Sequence, residues 1–264
     1  MHLQSGDAKI FYQVEGQGPP LVLLHPFPAN HKFWKPATAL LSTRYQLIMP
    51  DLRGHGASDP GQGPATMEKH AIDVLRVCEA AGVQRATFMG VSIGGYLLFD
   101  FWRRYRERVQ TLILCDTKAQ ADTEEARATR LKSADDVLKR GPDAFLDEMV
   151  HKLLGASTKS QRPDLVVAAR KILGESRPAG IAAVQRGMAE RPDSVPTLKT
   201  ISVPTLIAVG EEDMLTPVAD AELMRQHIKN SRLQTVPEAG HYAPFEQHEV
   251  VVRMVRRFVE SGNR

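Results

Sequence analysis

Cysteine is scarce in this sequence, with only Cys78 and Cys115 among 264 residues. Neither belongs to a C-x-x-C pair or to a spacing typical of metal ligands, so the sequence indicates neither a redox pair nor a metal site. Two isolated cysteines are typical of small buried apolar residues in a reducing compartment. We therefore expect a cytoplasmic protein.

Long apolar runs are missing as well. No run approaches the roughly 20 residues that a membrane-spanning helix needs. Residues 1–7 contain neither the apolar core nor the cleavage-site pattern of an export signal. The sequence therefore predicts neither a membrane partner nor export.

A strong excess of charge is also absent. Lys and Arg number 34 and Asp and Glu 31, a formal net charge of +3 at pH 7. The densest basic cluster, residues 103–108, includes an acid and follows a predicted helix, so we interpret it as a solvated helix end. No G-K-[ST] motif occurs, and the nine histidines share no ligand spacing. We therefore expect no nucleic-acid partner, no metal and no other cofactor.

Short apolar strands alternate with helices along most of the chain. Residues 21–24 form an unbroken apolar run that suits a strand buried on both faces. A helix with an apolar face is predicted at 66–81, and another begins after Ser92. This alternation predicts an α/β fold with a mostly parallel sheet flanked by helices. Further strands are predicted at residues 8–14, 46–49, 84–89, 110–116, 205–210 and 232–236.

Residues 118–198 interrupt this alternation. They show no convincing strand, and Gly-Pro and Arg-Pro pairs separate their helical segments. We therefore predict a helical cap at 118–198, inserted into a core domain that residues 1–117 and 199–264 form together. The helices of the cap are predicted at residues 123–134, 143–154, 164–173 and 179–190.

The strongest local signal is the G-x-S-x-G pattern at residues 90–94, between a strand and a helix. Glycines suit a turn too tight for side chains, which leaves the Ser92 hydroxyl exposed on a strained backbone. A serine hydroxyl is a weak nucleophile, so it needs a base and a carboxylate that orients the base. Loops after later strands offer Asp213 and His241, in the order expected for this turn. Asp116 also ends a strand and is an alternative acid.

Five segments in the same order resemble those of α/β-hydrolase-fold serine hydrolases, from about Ile10 to the end. Within this fold the sequence is similar to small esterases, enol-lactonases and cofactor-free haloperoxidases. Haloalkane dehalogenases and epoxide hydrolases of this fold carry aspartate where this chain has Ser92, which argues against both. The resemblance favours Asp213 over Asp116 as the acid. The matching segments are residues 23–28, 51–59, 90–95, 210–213 and 240–241.

The resemblance also implies an oxyanion hole formed by the backbone N–H groups of Phe27 and Ile93. The family usually has His-Gly where this chain has His25-Pro26. Proline has no N–H and a fixed φ, so we expect a stiffer loop here. His25 and His55 lie in motif loops, and we interpret both as structural hydrogen-bonding residues.

The insertion is expected to determine the substrate. Candidates for an acyl pocket, each of which could equally be plain core, are Trp34, Phe145, Met149 and Met188. We interpret the arginines of the insertion as solvated helix faces rather than as a site for an acidic substrate. These are Arg127, Arg130, Arg170, Arg177 and Arg186.

These predictions describe a cofactor-free serine hydrolase that cleaves a small or medium carboxylic ester or lactone through an acyl-enzyme. Two alternatives stay open. A perhydrolase or haloperoxidase would use the same triad, and some proteins of this fold are ligand receptors with little turnover. The sequence makes no prediction of the oligomeric state.

Overall fold

The computed structural model describes residues 1–262, which fold around an eight-stranded sheet. Its spatial order is β1-β2-β4-β3-β5-β6-β7-β8. The β1–β2 and β2–β4 pairs are antiparallel and the remaining pairs are parallel, which confirms the predicted mostly parallel sheet. The strands are β1 (His2–Ser5), β2 (Ala8–Glu15), β3 (Pro20–Leu24), β4 (Gln46–Pro50), β5 (Ala86–Val91), β6 (Val109–Cys115), β7 (Thr205–Gly210) and β8 (Ser231–Val236).

The central strands β5 and β7 are buried at every residue because helices cover both faces of the sheet. Their parallel register brings the carboxyl ends of β5 to β8 to one edge. Val91 pairs with Cys115 and Gly210 with Val236. The loops that follow these strands therefore meet at the same edge of the sheet.

Twelve α-helices are described within residues 1–262, and six of them, α4 to α9, lie between β6 and β7. Short 3₁₀ turns occur at His31–Trp34 and Arg106–Arg108. The helices are α1 (Lys35–Leu41), α2 (Met67–Ala80), α3 (Ile93–Tyr105), α4 (Glu124–Arg140), α5 (Asp143–Leu153), α6 (Ala156–Gln161), α7 (Pro163–Leu173), α8 (Pro178–Ala189), α9 (Val195–Leu198), α10 (Val218–His227), α11 (Ala243–Glu246) and α12 (His248–Gly262).

Helix α8 lies directly against the loops of the sheet. A Cβ on Gly180 would lie 1.9 Å from the Gly54 carbonyl oxygen, and one on Gly187 would lie 1.9 Å from that of Ala65. These contacts are possible only without side chains at the two glycines. Helix α4 packs along α8, so α8 connects the rest of the insertion to the sheet.

Some elements differ from the predictions. Strand β1 was not predicted, because its sequence is largely polar and it pairs only at the edge of the sheet. Near the end of the chain, the helical region is divided into α11 and α12 around Gln247. Helix α4 continues to Arg140, where Gly141 ends it with a φ of +83°. No helix within residues 1–262 is both long enough and apolar enough to cross a membrane.

Candidate active site

Ser92 occupies the turn between β5 and α3. Its φ is +55° and its ψ is −114°, a conformation that residues other than glycine seldom adopt. Two hydrogen bonds hold this backbone in place. The Ser92 N–H donates to the Cys115 carbonyl oxygen at 3.1 Å, and the Thr117 hydroxyl donates to the Ser92 carbonyl oxygen at 2.7 Å.

The glycines around Ser92 permit close backbone contacts. A Cβ on Gly90 would lie 2.5 Å from the Gly94 carbonyl group, and one on Gly94 would lie 2.6 Å from the Leu24 carbonyl oxygen. A methyl group at either position would separate β5 or β3 from the start of α3. The glycine pattern is therefore explained by packing at this turn.

His241 and Asp213 form a hydrogen-bonded pair in the loops after β8 and β7. The distance from His241 Nδ1 to Asp213 Oδ2 is 2.8 Å, and both side chains are buried. Oδ2 also accepts the Thr216 hydroxyl at 2.6 Å. Oδ1 accepts the N–H groups of Leu215 at 2.8 Å and Thr216 at 3.0 Å. All four lone-pair positions of this carboxylate are thus occupied.

These contacts keep Asp213 ionised. Burial alone would raise the pKa of Asp213, but the interaction with His241 and the hydrogen bonds hold that pKa below its ordinary value. An anionic carboxylate at Nδ1 fixes the imidazole orientation and leaves Nε2 as the nitrogen that can accept a proton.

Asp116, the alternative acid, has different partners. Its Oδ1 accepts the Gly210 N–H at 2.8 Å and its Oδ2 accepts the Ala243 N–H at 3.2 Å. Burial and the nearby charge of Asp213 raise the pKa of Asp116 well above its ordinary value. Within residues 1–262 the imidazole of His241 is bonded to Asp213 and not to Asp116. Asp116 instead connects the loop that carries Asp213 to the loop that carries His241.

The two predicted oxyanion donors have free N–H groups. Neither Phe27 N–H nor Ile93 N–H donates to an acceptor within residues 1–262. The Phe27 carbonyl oxygen accepts the Tyr242 hydroxyl at 3.2 Å. The Pro26 carbonyl oxygen accepts the Ala29 N–H at 2.9 Å. Proline at position 26 therefore leaves the amide that follows it available to a ligand.

His25 and His55 support the same loop. The Leu52 N–H donates to His25 Nε2 at 2.9 Å, so the ring proton is on Nδ1, which lies 3.0 Å from the Pro26 carbonyl oxygen. Burial lowers the pKa of His25 to about 4. The His55 ring contacts His25 edge to face at 5.0 Å. Both histidines thus have the structural surroundings expected from their motif loops.

A cavity of about 270 Å³ lies over Ser92 and His241. Met149 and Met188 of the insertion contribute to its wall, as predicted for an acyl pocket. Phe145 lies behind the wall, with its ring 6.1 Å from that of Phe27, and lines a neighbouring groove.

Trp34 does not line this cavity. It is 1% exposed and packs edge to face against Phe33 at 4.9 Å. The prediction of a pocket role for Trp34 is therefore corrected, because the 3₁₀ turn at His31–Trp34 directs this side chain into the core. Phe33 also contacts Tyr242, whose ring lies 5.0 Å away.

Charged side chains line the same cavity, and most of them were not predicted from the sequence. Lys118, Asp122 and Lys152 had not been singled out, and Arg130 was interpreted as a solvated residue. Arg130 is half-buried in the wall, whereas the other four arginines of that group do not line the cavity. The strand-end rule could have identified Lys118, which lies three residues after β6. Within the described part of the chain, no group of three or more His, Cys, Asp or Glu side chains could hold a metal ion.

Two glutamates attach the insertion to the loops that carry Asp213 and His241. Glu212, beside Asp213, accepts the Ser157 N–H at 2.8 Å and also its hydroxyl. Glu246 accepts the Gly155 N–H at 2.8 Å and the Gly240 N–H at 2.9 Å. The start of α6 is therefore bonded to both loops that carry the His241–Asp213 pair.

Comparisons with known proteins identify the fold family of this chain. A family model described as the alpha/beta hydrolase fold matches residues 19–247. The 3-oxoadipate enol-lactonase 1 of Acinetobacter baylyi is 28% identical over 257 residues, which are 94% of this chain and 92% of the relative. A thermophilic esterase from Thermogutta terrifontis is 37% identical with a TM-score of 0.94, and the match covers 96% of this chain and 94% of the esterase.

A further solved structure shows the same fold. The enol-lactonase from Burkholderia xenovorans LB400 has a TM-score of 0.92 at 24% identity, over 98% of this chain and 100% of that chain. The esterase and enol-lactonase relatives support a hydrolase of esters or lactones. With its sheet order, its strained serine turn and a family match over most of its length, the chain belongs to the α/β-hydrolase fold family.

Proposed function

We propose that this protein is a serine hydrolase that cleaves a small or medium carboxylic ester or lactone through an acyl-enzyme. One observation carries the proposal. Ser92 lies on a strained turn at the sheet edge where His241 is bonded to Asp213, and one cavity is lined by both Ser92 and His241. This combination supports nucleophilic catalysis with a histidine base.

In the proposed mechanism, Ser92 Oγ attacks the substrate carbonyl carbon while His241 Nε2 accepts the hydroxyl proton. The ester C–O bond then breaks, and His241 returns the proton to the leaving oxygen. Water hydrolyses the acyl-serine by the same route. The free N–H groups of Phe27 and Ile93 support an oxyanion hole for both tetrahedral intermediates. Residues 118–198 act as a cap that excludes bulk water from the cavity.

Replacement of the nucleophile tests this proposal. We expect Ser92→Ala to abolish hydrolysis of short p-nitrophenyl esters and covalent labelling by a fluorophosphonate, with an unchanged circular dichroism spectrum. With excess ester, the wild-type protein should release many equivalents of product. Retained turnover in Ser92→Ala would contradict the proposed nucleophile. Release of a single equivalent by the wild type would instead indicate a receptor with little turnover.

A further inference from the structure

Lys118 lies close to the proposed nucleophile. It lines the cavity over Ser92 and His241 and is half-buried. The preceding residue, Thr117, donates its hydroxyl to the Ser92 carbonyl oxygen at 2.7 Å. The position of Lys118 is therefore set by the sheet edge and the serine turn, not by the flexible tip of a loop.

The ammonium of Lys118 has no partner of its own. Within residues 1–262 it makes no hydrogen bond and no ion pair, whereas the other two cations of the cavity wall are paired. Arg130 Nε lies 2.6 Å from Asp122 Oδ2, and Lys152 Nζ lies 2.5 Å from Glu148 Oε1. A partly desolvated ammonium without a counterion favours an anion from outside the chain.

The other charged groups of the cavity wall also favour an anionic ligand at Lys118. Its acidic residue, Asp122, is bonded to two guanidinium groups, Arg130 and Arg191, the latter at 2.7 Å. The Asp122 carboxylate is therefore not available to neutralise Lys118. Of the described cations that line the cavity, Lys118 is therefore the one without a carboxylate partner, and an anionic ligand would gain most beside it.

We propose that the substrate of this site is an anionic ester or lactone, and that the Lys118 ammonium binds its carboxylate while Ser92 attacks the scissile carbonyl. This inference rests on the hydrolase function proposed above and names its substrate class. Lys118 is half-buried in this cavity of about 270 Å³, where the attraction between one carboxylate and one ammonium is stronger than at a fully exposed surface. Selectivity then arises from charge as well as from the fit of the acyl chain.

The test compares two esters that differ in one charge, mono-p-nitrophenyl glutarate and its methyl-capped form. We expect the wild type to have a higher kcat/KM for the carboxylated ester. Lys118→Met removes the charge but keeps most of the apolar stem, and should lower the ratio of the two kcat/KM values by about 10- to 100-fold. Lys118→Arg should retain most of the preference. Lys139→Met, on the exposed outer part of α4, is the matched control with the same change in net charge and should keep the wild-type ratio.

The possible outcomes separate a failure of this inference from a failure of the proposed hydrolase function. Ser92-dependent turnover of the capped ester without a preference for the carboxylated one would overturn the inference alone. An equal loss for both esters in Lys118→Met would also overturn it. Turnover that survives Ser92→Ala would instead contradict the hydrolase mechanism.

A measurement on the unaltered protein makes the test independent of variant folding. Added salt screens an attraction between ions, so kcat/KM for the carboxylated ester should fall between 0.01 and 0.5 M NaCl, roughly the range over which screening becomes strong. The value for the capped ester should stay nearly constant. Equal salt responses for the two esters would contradict a role for Lys118 in binding an anion.

Discussion

Among single residues, Asp213 makes the hydrogen bond that holds the imidazole of His241. Its carboxylate accepts four hydrogen bonds, one of them from His241 Nδ1 at 2.8 Å. In Asp213→Asn the side-chain amide could present an N–H to Nδ1, which would favour the wrong imidazole tautomer. We expect kcat to fall by about 10³- to 10⁴-fold, the size of effect known for an orienting carboxylate. Steady-state kinetics with p-nitrophenyl acetate would measure the loss. Unchanged kcat would assign the orienting role to another group, of which Asp116 is the nearest candidate.

The same carboxylate determines the shape of the pH profile. Because the pKa of Asp213 is held below its ordinary value, this carboxylate is already ionised above pH 5. Asp213 should therefore add no ionisation to the profile of kcat/KM between pH 5 and pH 8, where a histidine base makes the rate rise with pH. Rates measured with a neutral ester at constant ionic strength would check this. A profile that stays flat over this range would contradict the assignment of His241 as the base.

At the level of secondary structure, hydrogen bonds join the start of α6 to the loops that carry Asp213 and His241. Glu246 is buried and accepts N–H groups on both sides, from Gly155 and Gly240. In Glu246→Gln the amide NH₂ would face N–H donors, which removes at least one hydrogen bond. We expect the free energy of unfolding to fall by about 1–3 kcal/mol and kcat to fall more than KM changes.

Urea unfolding and steady-state kinetics measure the two effects of Glu246→Gln. Glu211→Gln is the matched control, because Glu211 is an exposed glutamate on the Asp213 loop. Its variant should match the wild type in both measurements. If Glu246→Gln also matched the wild type, the contact between α6 and the His241 loop would have no role in positioning the base.

Elements with local signals were predictable from the sequence, and elements built by distant contacts were not. The apolar runs of β3, β5 and β7 identify buried strands, and the loops after β7 and β8 contain Asp213 and His241. Helix α6 has the polar sequence Ala-Ser-Thr-Lys-Ser-Gln, and its first N–H groups are bonded to carboxylates more than 50 residues away along the chain. No local pattern predicts such a helix.

The same reason explains the errors at the cavity. Trp34, Met149 and Met188 are alike in the sequence, as candidates for either the pocket or the core. Their actual surroundings depend on how α5, α8 and the 3₁₀ turn pack against the sheet. The partner of Arg130, Asp122, lies on an irregular segment before α4, so the sequence alone could not distinguish a paired wall residue from a solvated one.

For the whole molecule, buried histidines connect stability to pH. Burial, with a contribution from the charge of Arg53, lowers the pKa of His70 to about 3. In the unfolded chain this imidazole would take up a proton near pH 6.5, so the unfolded state binds more protons and gains stability as the pH falls below that value. Buried carboxyls such as Asp116, whose pKa is raised, act in the opposite direction. A variant without the His70 imidazole is therefore needed to separate its contribution to the pH dependence of stability from that of the carboxyls.

His70→Gln provides that comparison. Between pH 7 and pH 5 its free energy of unfolding should rise relative to the wild type by about 2 kcal/mol, because glutamine has no proton to gain in the unfolded state. His151→Gln, at an exposed position, is the control and should show no such difference. Urea titrations at pH 7 and pH 5 measure the free energy of unfolding of each variant and of the wild type. Parallel pH dependence of His70→Gln and the wild type would show that His70 is not held neutral in the folded protein.

The two glycines of α8 have a consequence for how this protein could change during evolution. Gln185 and Met188 of α8 line the cavity, and the height of that helix above the sheet depends on its backbone contacts with Gly54 and Ala65. A single methyl group at Gly180 or Gly187 would lift the helix and enlarge the space below it. The volume of the cavity can therefore change through positions outside its lining, while Ser92, His241 and Lys118 stay as they are.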